Sequence, residues 1–264
     1  MFLEIDRCAA TSELRALEAA LQEILGEVRL TVGDFAAMKA KVAELLTWLD
    51  RRPAGVEEGE LAEVKAFLDW LRNDRFTFLG YEEFIVEGDG ETAVQRYVPD
   101  SLLGLSRRLR GRPETAEITL SGEPLRYLRE PVLLSFAKAA DPSRVHRPAY
   151  PDFVSLREVD ASGRVVREHR FMGLYTSSVY NDSVREIPYI RRKVDEVRRR
   201  ADFDSSAHLG KELAQVLEGL PRDDLFQTPV DDLFSTSMAI VQIQERSKVR
   251  VFLRRDPYGQ FFYC

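Results

Sequence analysis

The stretch Phe76-Thr77-Phe78-Leu79-Gly80-Tyr81-Glu82-Glu83-Phe84-Ile85-Val86, closed by Glu87-Gly88-Asp89-Gly90, is where the chain changes its period. Before it, apolar residues recur every three to four positions. Within it, aromatic and β-branched residues crowd together, and the glycine-aspartate-glycine that follows is turn chemistry, so a strand and a hairpin are predicted. Further strands are expected at residues 94–98, 132–138, 152–159 and 164–175, the last two joined by the turn Asp160-Ala161-Ser162-Gly163. No helix of crossover length fits between those two, which disfavours a parallel nucleotide-binding sheet there and predicts an antiparallel one. The fold class expected is α+β, an antiparallel sheet flanked by helical segments.

Outward from that sheet the pattern is helical. Thr11 or Ser12 caps a helix carrying Leu14, Leu17, Leu21, Ile24, Leu25 and Val28. Asp34 begins a second, with Phe35, Met38, Val42, Leu45, Leu46 and Leu49 on one stripe, before the break at Arg51-Arg52-Pro53-Ala54-Gly55. The two predict a helical hairpin. A third helix, at about residues 57–73, presents Leu61, Val64, Leu68 and Leu71. After the sheet, Pro188 suits the first turn of a charged helix running from Tyr189 to Arg198, and two more helices are expected at residues 207–218 and 230–245. At the ends, Phe2-Leu3-Glu4-Ile5 alternates like a strand, and the segments at 249–253 and 261–264 around Pro257-Tyr258-Gly259 read as a hairpin. Such isolated strands are marginal in water, so the chain is expected to be cut through a sheet at both ends.

With 264 residues, 44% of them hydrophobic, the chain is long enough for a substantial core in one large domain or two ordinary ones. Its formal charge of −6 argues against a general attraction to nucleic acid or anionic membrane. Cys8 and Cys264 sit at opposite ends with no CxxC pair, which suggests neither a disulfide framework nor a structural zinc site and fits a reducing, cytoplasmic setting. No apolar run is long enough to span a membrane.

Three histidines are present, His146, His169 and His208, and none has metal-ligand spacing. His146, in Arg144-Val145-His146-Arg147-Pro148, offers an imidazole of the kind used for proton transfer, yet no nucleophile motif accompanies it and it reads as a loop histidine. Gly88-Asp89-Gly90 lacks the third glycine of a dinucleotide fingerprint and reads as a turn. Ser135-Phe136-Ala137-Lys138 spells SxxK, but residues three apart on a strand face opposite sides of a sheet. The basic runs Arg191-Arg192-Lys193 and Arg198-Arg199-Arg200 are interrupted by Asp195 and Glu196 and read as a solvated helix face or a subunit contact. Phe76, Phe78, Tyr81 and Phe84 read as core and cross-strand pairs. No catalytic, cofactor-binding or metal-binding residue is expected in this chain.

Several strings, in order along the chain, carry a resemblance. They are the segment from Leu68-Asp69-Trp70-Leu71-Arg72-Asn73 through Phe76-Thr77-Phe78-Leu79-Gly80-Tyr81, then Val145-His146-Arg147-Pro148-Ala149-Tyr150 with Asp152, then Phe171-Met172-Gly173-Leu174-Tyr175-Thr176-Ser177. Pro188 through Lys193, His208, Leu220-Pro221-Arg222-Asp223-Asp224-Leu225-Phe226 and Phe252-Leu253-Arg254-Arg255-Asp256-Pro257-Tyr258-Gly259 follow. Together they resemble the large bacterial NAD-specific glutamate dehydrogenases over nearly the whole chain.

The resemblance implies a place in that family's N-terminal regulatory region. Residues 1–6 would be the last strand of a truncated ACT-like module, 7–56 a helical linker, 57–186 a PAS-like antiparallel module, 187–246 a helical connector, and 247–264 the opening hairpin of a second truncated ACT-like module. The family's catalytic domain, with its lysine and its NAD, has no counterpart here, so no catalytic residue carries over. Implied partners are the other domains and subunits of the same enzyme in a homo-oligomer, with an amino acid as possible effector. Two other readings stay open: a free-standing module binding a small ligand such as an amino acid, and a structural spacer whose helices mediate assembly.

Overall fold

The computed structural model describes residues 11–53, 56–88, 90–110, 117–129, 132–201, 207–243, 253–255 and 261–263. The strand expected at 2–5 lies outside them, as does most of the segment expected at 249–253.

The first element corrects the expected helical hairpin: α1 is one helix, Thr11–Asp50, of 40 residues and roughly 60 Å. The reason is register. The two apolar stripes are a single three-four repeat through positions 14, 17, 21, 24, 28, 31, 35, 38, 42, 45 and 49, and only Thr31 among them is polar. Its hydroxyl is absorbed by the Glu27 carbonyl at 3.0 Å. Gly33 alone does not stop a helix. Nor does Asp34 cap one: its carboxylate accepts hydrogen bonds from the Gly104 N–H at 2.8 Å and from the Arg107 guanidinium. Replacing Gly33 by alanine is therefore expected to raise stability by about 0.5–1 kcal/mol in urea unfolding, since no atom would meet the added Cβ. A break at this point would give no gain.

Met38, Val42, Leu45 and Leu49 of α1 are buried, and Leu61, Val64, Leu68 and Leu71 of α2 (Glu58–Arg72) complete one side of the core. Farther up α1 the same stripe thins to exposed Leu14, while Leu25, Val32 and Phe35 lie exposed beside it or on it.

The sheet has β1 (Phe76–Glu87), β2 (Thr92–Tyr97), the two-residue β3 (Leu103–Gly104), β4 (Glu117–Ser121), β5 (Leu134–Lys138), β6 (Asp152–Val159) and β7 (Val165–Tyr175). The order is β4-β2-β1-β7-β6-β5, with β3 also on β1, and every pairing is antiparallel. That is the antiparallel α+β sheet expected from the strand and turn pattern. Neither β4 nor α3 (Gly122–Leu128), which follows it, is foreshadowed by strong periodicity.

A bulge between Phe78 and Gly80 makes Leu79 an extra residue in β1. It puts Phe76 and Phe78 on the same face as Tyr81, which strict alternation would not do. That face, with Phe136, Val154, Leu156, Phe171 and Tyr175, forms a continuous core with α1, α2 and the later helices. Those are α5 (Ile190–Ala201), α6 (Ala207–Gly219), α7 (Arg222–Gln227) and α8 (Val230–Ile243), preceded by the short α4 (Ser177–Asn181). A separate hairpin pairs β8 (Leu253–Arg255) with β9 (Phe261–Tyr263), part of the hairpin expected at that end.

Candidate functional site

β7 carries the signal that a reading by motif passes over. Arg167, Glu168, His169 and Arg170 are consecutive in β7, which is paired on both edges, and Glu168 and His169 are buried there although an antiparallel sheet commonly turns one polar face to water. The charges divide by alternation. On the aromatic face, His169 Nδ1 lies 2.8 Å from the Tyr81 hydroxyl and Nε2 lies 2.9 Å from Glu158. Arg167 pairs with Glu83 beside them. Burial pushes the Tyr81 hydroxyl's pKa upward, so this chain of contacts holds a neutral phenol rather than a nucleophile.

On the opposite face a second cluster is more deeply enclosed. Arg157, Glu168, Glu82 and Gln95 are all buried, with Arg157 at 0% exposure. Gln95 Nε2 donates to Glu168 at 2.6 Å and Arg170 Nη2 donates to its other oxygen at 3.2 Å. Arg157 stacks over the Tyr127 ring at 4.8 Å, and Arg170 over Phe84 at 4.6 Å. Burial raises the Glu168 carboxyl, but Arg170, Arg157 and the Ser155 hydroxyl outweigh it and hold the pKa below its ordinary value. Glu82 goes the other way: burial dominates, Arg170 opposes it only in part, and the Glu168 charge adds to the rise.

A third group joins the sheet to the helices after it. Lys138 on β5 lies 2.7 Å from Asp152 on β6 and 3.0 Å from Asp223 at the start of α7. This is where the lysine of Ser135-Phe136-Ala137-Lys138 goes, while Ser135 registers with Ser155 on the other face, as strand alternation requires. Burial, resisted by Lys138 and reinforced by the Asp223 charge, pushes the Asp152 pKa up to about 7. An aspartate raised in this way is neutral in the folded chain and ionised in the unfolded one between about pH 4 and 7. The stability it contributes is present below that window and lost as pH rises through it. Urea unfolding should show the native chain losing on the order of 3 kcal/mol relative to Asp152→Asn between pH 4 and 7. Parallel pH profiles for the two proteins would refute the assignment.

Around this group, Phe226 of α7 stacks on Tyr175 with centroids 4.7 Å apart and planes at 11°. Lys193 of α5 donates to the carbonyl oxygens of Leu225, Phe226 and Thr228, at 3.1, 2.6 and 3.0 Å, and so caps the end of α7. The residue is half-buried, and the burial around its ammonium draws its pKa down to about 7. Arg191 pairs with Glu63 at 2.6 Å, while Arg199 and Arg200 pair with Glu196, so these members of the basic run form ion pairs within the chain.

His146 is exposed, with φ at 70°, and His208 lies on α6. Among the described residues no group of three or more His, Cys, Asp and Glu side chains is placed to hold a metal ion, and no helix is long and apolar enough to cross a membrane.

Residues 187–246, which hold α5 to α8, match the family model described as glutamate dehydrogenase, helical motif 1. The NAD-specific glutamate dehydrogenase of Pseudomonas aeruginosa is 64% identical over 264 residues, the whole of this chain and 16% of that protein. That of Halomonas elongata is 42% identical over 267 residues, covering 99% of this chain and 16% of the relative. That of Mycobacterium tuberculosis is 30% identical over 258 residues, covering 95% of this chain and 14% of the relative. The chain thus spans about a sixth of the length of these relatives. With matches across the sheet as well as the helical motif, the chain belongs, as a segment, to the family of NAD-specific glutamate dehydrogenases.

Proposed function

We propose that this chain is a non-catalytic regulatory and structural segment from the N-terminal part of an NAD-dependent glutamate dehydrogenase. The complete enzyme would convert L-glutamate, NAD and water to 2-oxoglutarate, ammonia and NADH in the cytoplasm, as a homo-oligomer. NAD would bind elsewhere in the polypeptide. The PAS-like and ACT-like modules and their boundaries at 57–186, 1–6 and 247–264 are part of the same reading, and the antiparallel sheet is compatible with the first of them.

The observation that carries the regulatory role is the continuity of the core across residue 187. Phe136, Tyr175, Val194, Leu217 and Phe226 belong to one buried cluster, and the Lys138 contacts to Asp152 and Asp223 bridge the same boundary. A change of shape in the sheet therefore acts directly on the helical motif, because packed cores do not deform continuously.

Two assays test the reading. The purified chain should show no glutamate-dependent NADH formation, and turnover lost on His146→Ala would refute the non-catalytic assignment. In the full-length enzyme, Asp223→Asn should change the KM for glutamate or the response to effectors by several-fold while kcat stays within about twofold. Kinetics indistinguishable from the unaltered enzyme would refute the regulatory assignment.

A further inference from the structure

The two faces of the sheet are built on opposite chemistry. One closes on aromatic rings, and the other buries Glu82, Gln95, Ser155, Arg157 and Glu168 at its centre, with the partly buried Arg170 beside them. Removing charges from water is costly, and apolar replacements for buried ion pairs are often as stable or more so. Since the aromatic face shows that this sheet can be packed with rings, stability alone is a poor reason for the charged one.

Above the cluster lies α3, which is a separate unit. Leu125 and Leu128 seat it on Val86 and Ala93 in a cluster distinct from the main core. Gly122, at its first position, has φ at 61° with open space where a Cβ would stand, so the entry to α3 is a glycine in the left-handed region. Between α3 and the strands is a cavity of about 20 Å³, lined by Gln95, Tyr127, Arg157, Glu168 and Arg170 among others. It has room for a single water-sized molecule as it stands. A larger guest requires α3 to lift, which disturbs a small apolar cluster and leaves the main core intact.

We propose that the space between α3 and strands β2, β6 and β7 is a binding site for a small organic carboxylate, gripped by Arg157 and Arg170, with α3 as its lid. A guanidinium presents a planar fork of donors that matches a carboxylate at two points. The Tyr127 ring fixes the plane of Arg157, and Gln95 together with Arg170 keeps Glu168 in place as the group that limits how much negative charge enters. Tyr127 is itself part of α3, so the arginine and the lid are coupled: whatever reorients Arg157 is felt by the helix above it. The site would supply the ligand input that the regulatory reading calls for, and it rests on that reading for its purpose but not for its chemistry.

The test uses the chain with sodium acetate, succinate and L-aspartate as probes and sodium chloride at matched ionic strength as control. At least one carboxylate should raise the melting temperature saturably by about 2–5 °C. Arg157→Lys, which keeps the charge and loses the fork, should weaken that response about tenfold or more. Hydrogen exchange on the unaltered chain provides a readout that needs no variant: the active probe should slow exchange within residues 117–129. The site is overturned if none of the three carboxylates shifts the melting temperature, if chloride shifts it equally, if Arg157→Lys responds as the native chain does, or if protection appears only outside 117–129. Enzyme activity enters none of these readouts, so failure here leaves the dehydrogenase assignment standing, and failure of that assignment leaves the binding result standing.

Discussion

Gly173→Ala is expected to be among the most damaging small substitutions in this chain, with a loss of about 3 kcal/mol or more in urea unfolding. Gly173 sits mid-sheet in β7, opposite Phe78 on one side and Asp152 on the other. A Cβ there would stand within the van der Waals surfaces of the Thr77 carbonyl oxygen and the Phe76 ring. Neither is free to retreat. The carbonyl belongs to a strand paired with β7, and the Phe76 ring is wedged edge-on between Phe78 and Tyr175, with centroids 5.2 and 5.3 Å away. Gly33→Ala is the matched control: the same added methyl group, placed on an open helix, is expected to change stability in the opposite direction. A Gly173→Ala protein within about 0.5 kcal/mol of the native chain would show that the β1–β7 register differs from the one described.

Phe226→Ala is expected to cost about 3–5 kcal/mol, the range for truncating a buried aromatic side chain. Phe226 is 2% exposed and meets Phe67, Trp70 and Phe136 as well as Tyr175. It is the one ring of α7, and it reaches both the sheet and α2. Its loss should therefore weaken the attachment of the helical motif before it weakens the sheet. Native-state hydrogen exchange would read this as faster exchange over α5 and α7, with β6 and β7 still protected. Uniform acceleration over both would mean that the two parts unfold only together. A cost below 1 kcal/mol would mean that α7 is not docked on Tyr175.

Much of the fold was legible from local chemistry. β6 runs from Asp152 to Val159 as its alternation and the following Asp160-Ala161-Ser162-Gly163 turn require, and the Gly88 turn has the positive φ of 103° that glycine supplies. The helical stripes were legible too, but their joining into one α1 was not, because the expectation took Asp34 as the start of a second helix and missed the repeat from Leu14 to Leu49. Local preferences are worth about 1 kcal/mol per residue, and the burial of Met38, Val42, Leu45 and Leu49 outweighs them.

The candidate site was hidden for a different reason. A motif search looks for residues close in sequence, whereas Gln95, Arg157 and Glu168 are assembled by strand order, and Lys138 meets Asp152 and Asp223 only through the fold. The clue present in the sequence was the run Arg167, Glu168, His169, Arg170 inside a strand, which says that charge is buried without saying against what.

By itself, then, the amino-acid order determined the classes of the main helices and strands, the approximate limits of those other than α1, the antiparallel sense of the sheet and the family strings, because these depend on period, turn chemistry and ordered local patterns. Only the tertiary structure decided which charges are enclosed, which face is aromatic and where the helical motif is fastened. Those outcomes depend on pairing register and the bulge at Leu79, and a shift of one residue in either exchanges the two faces of a strand.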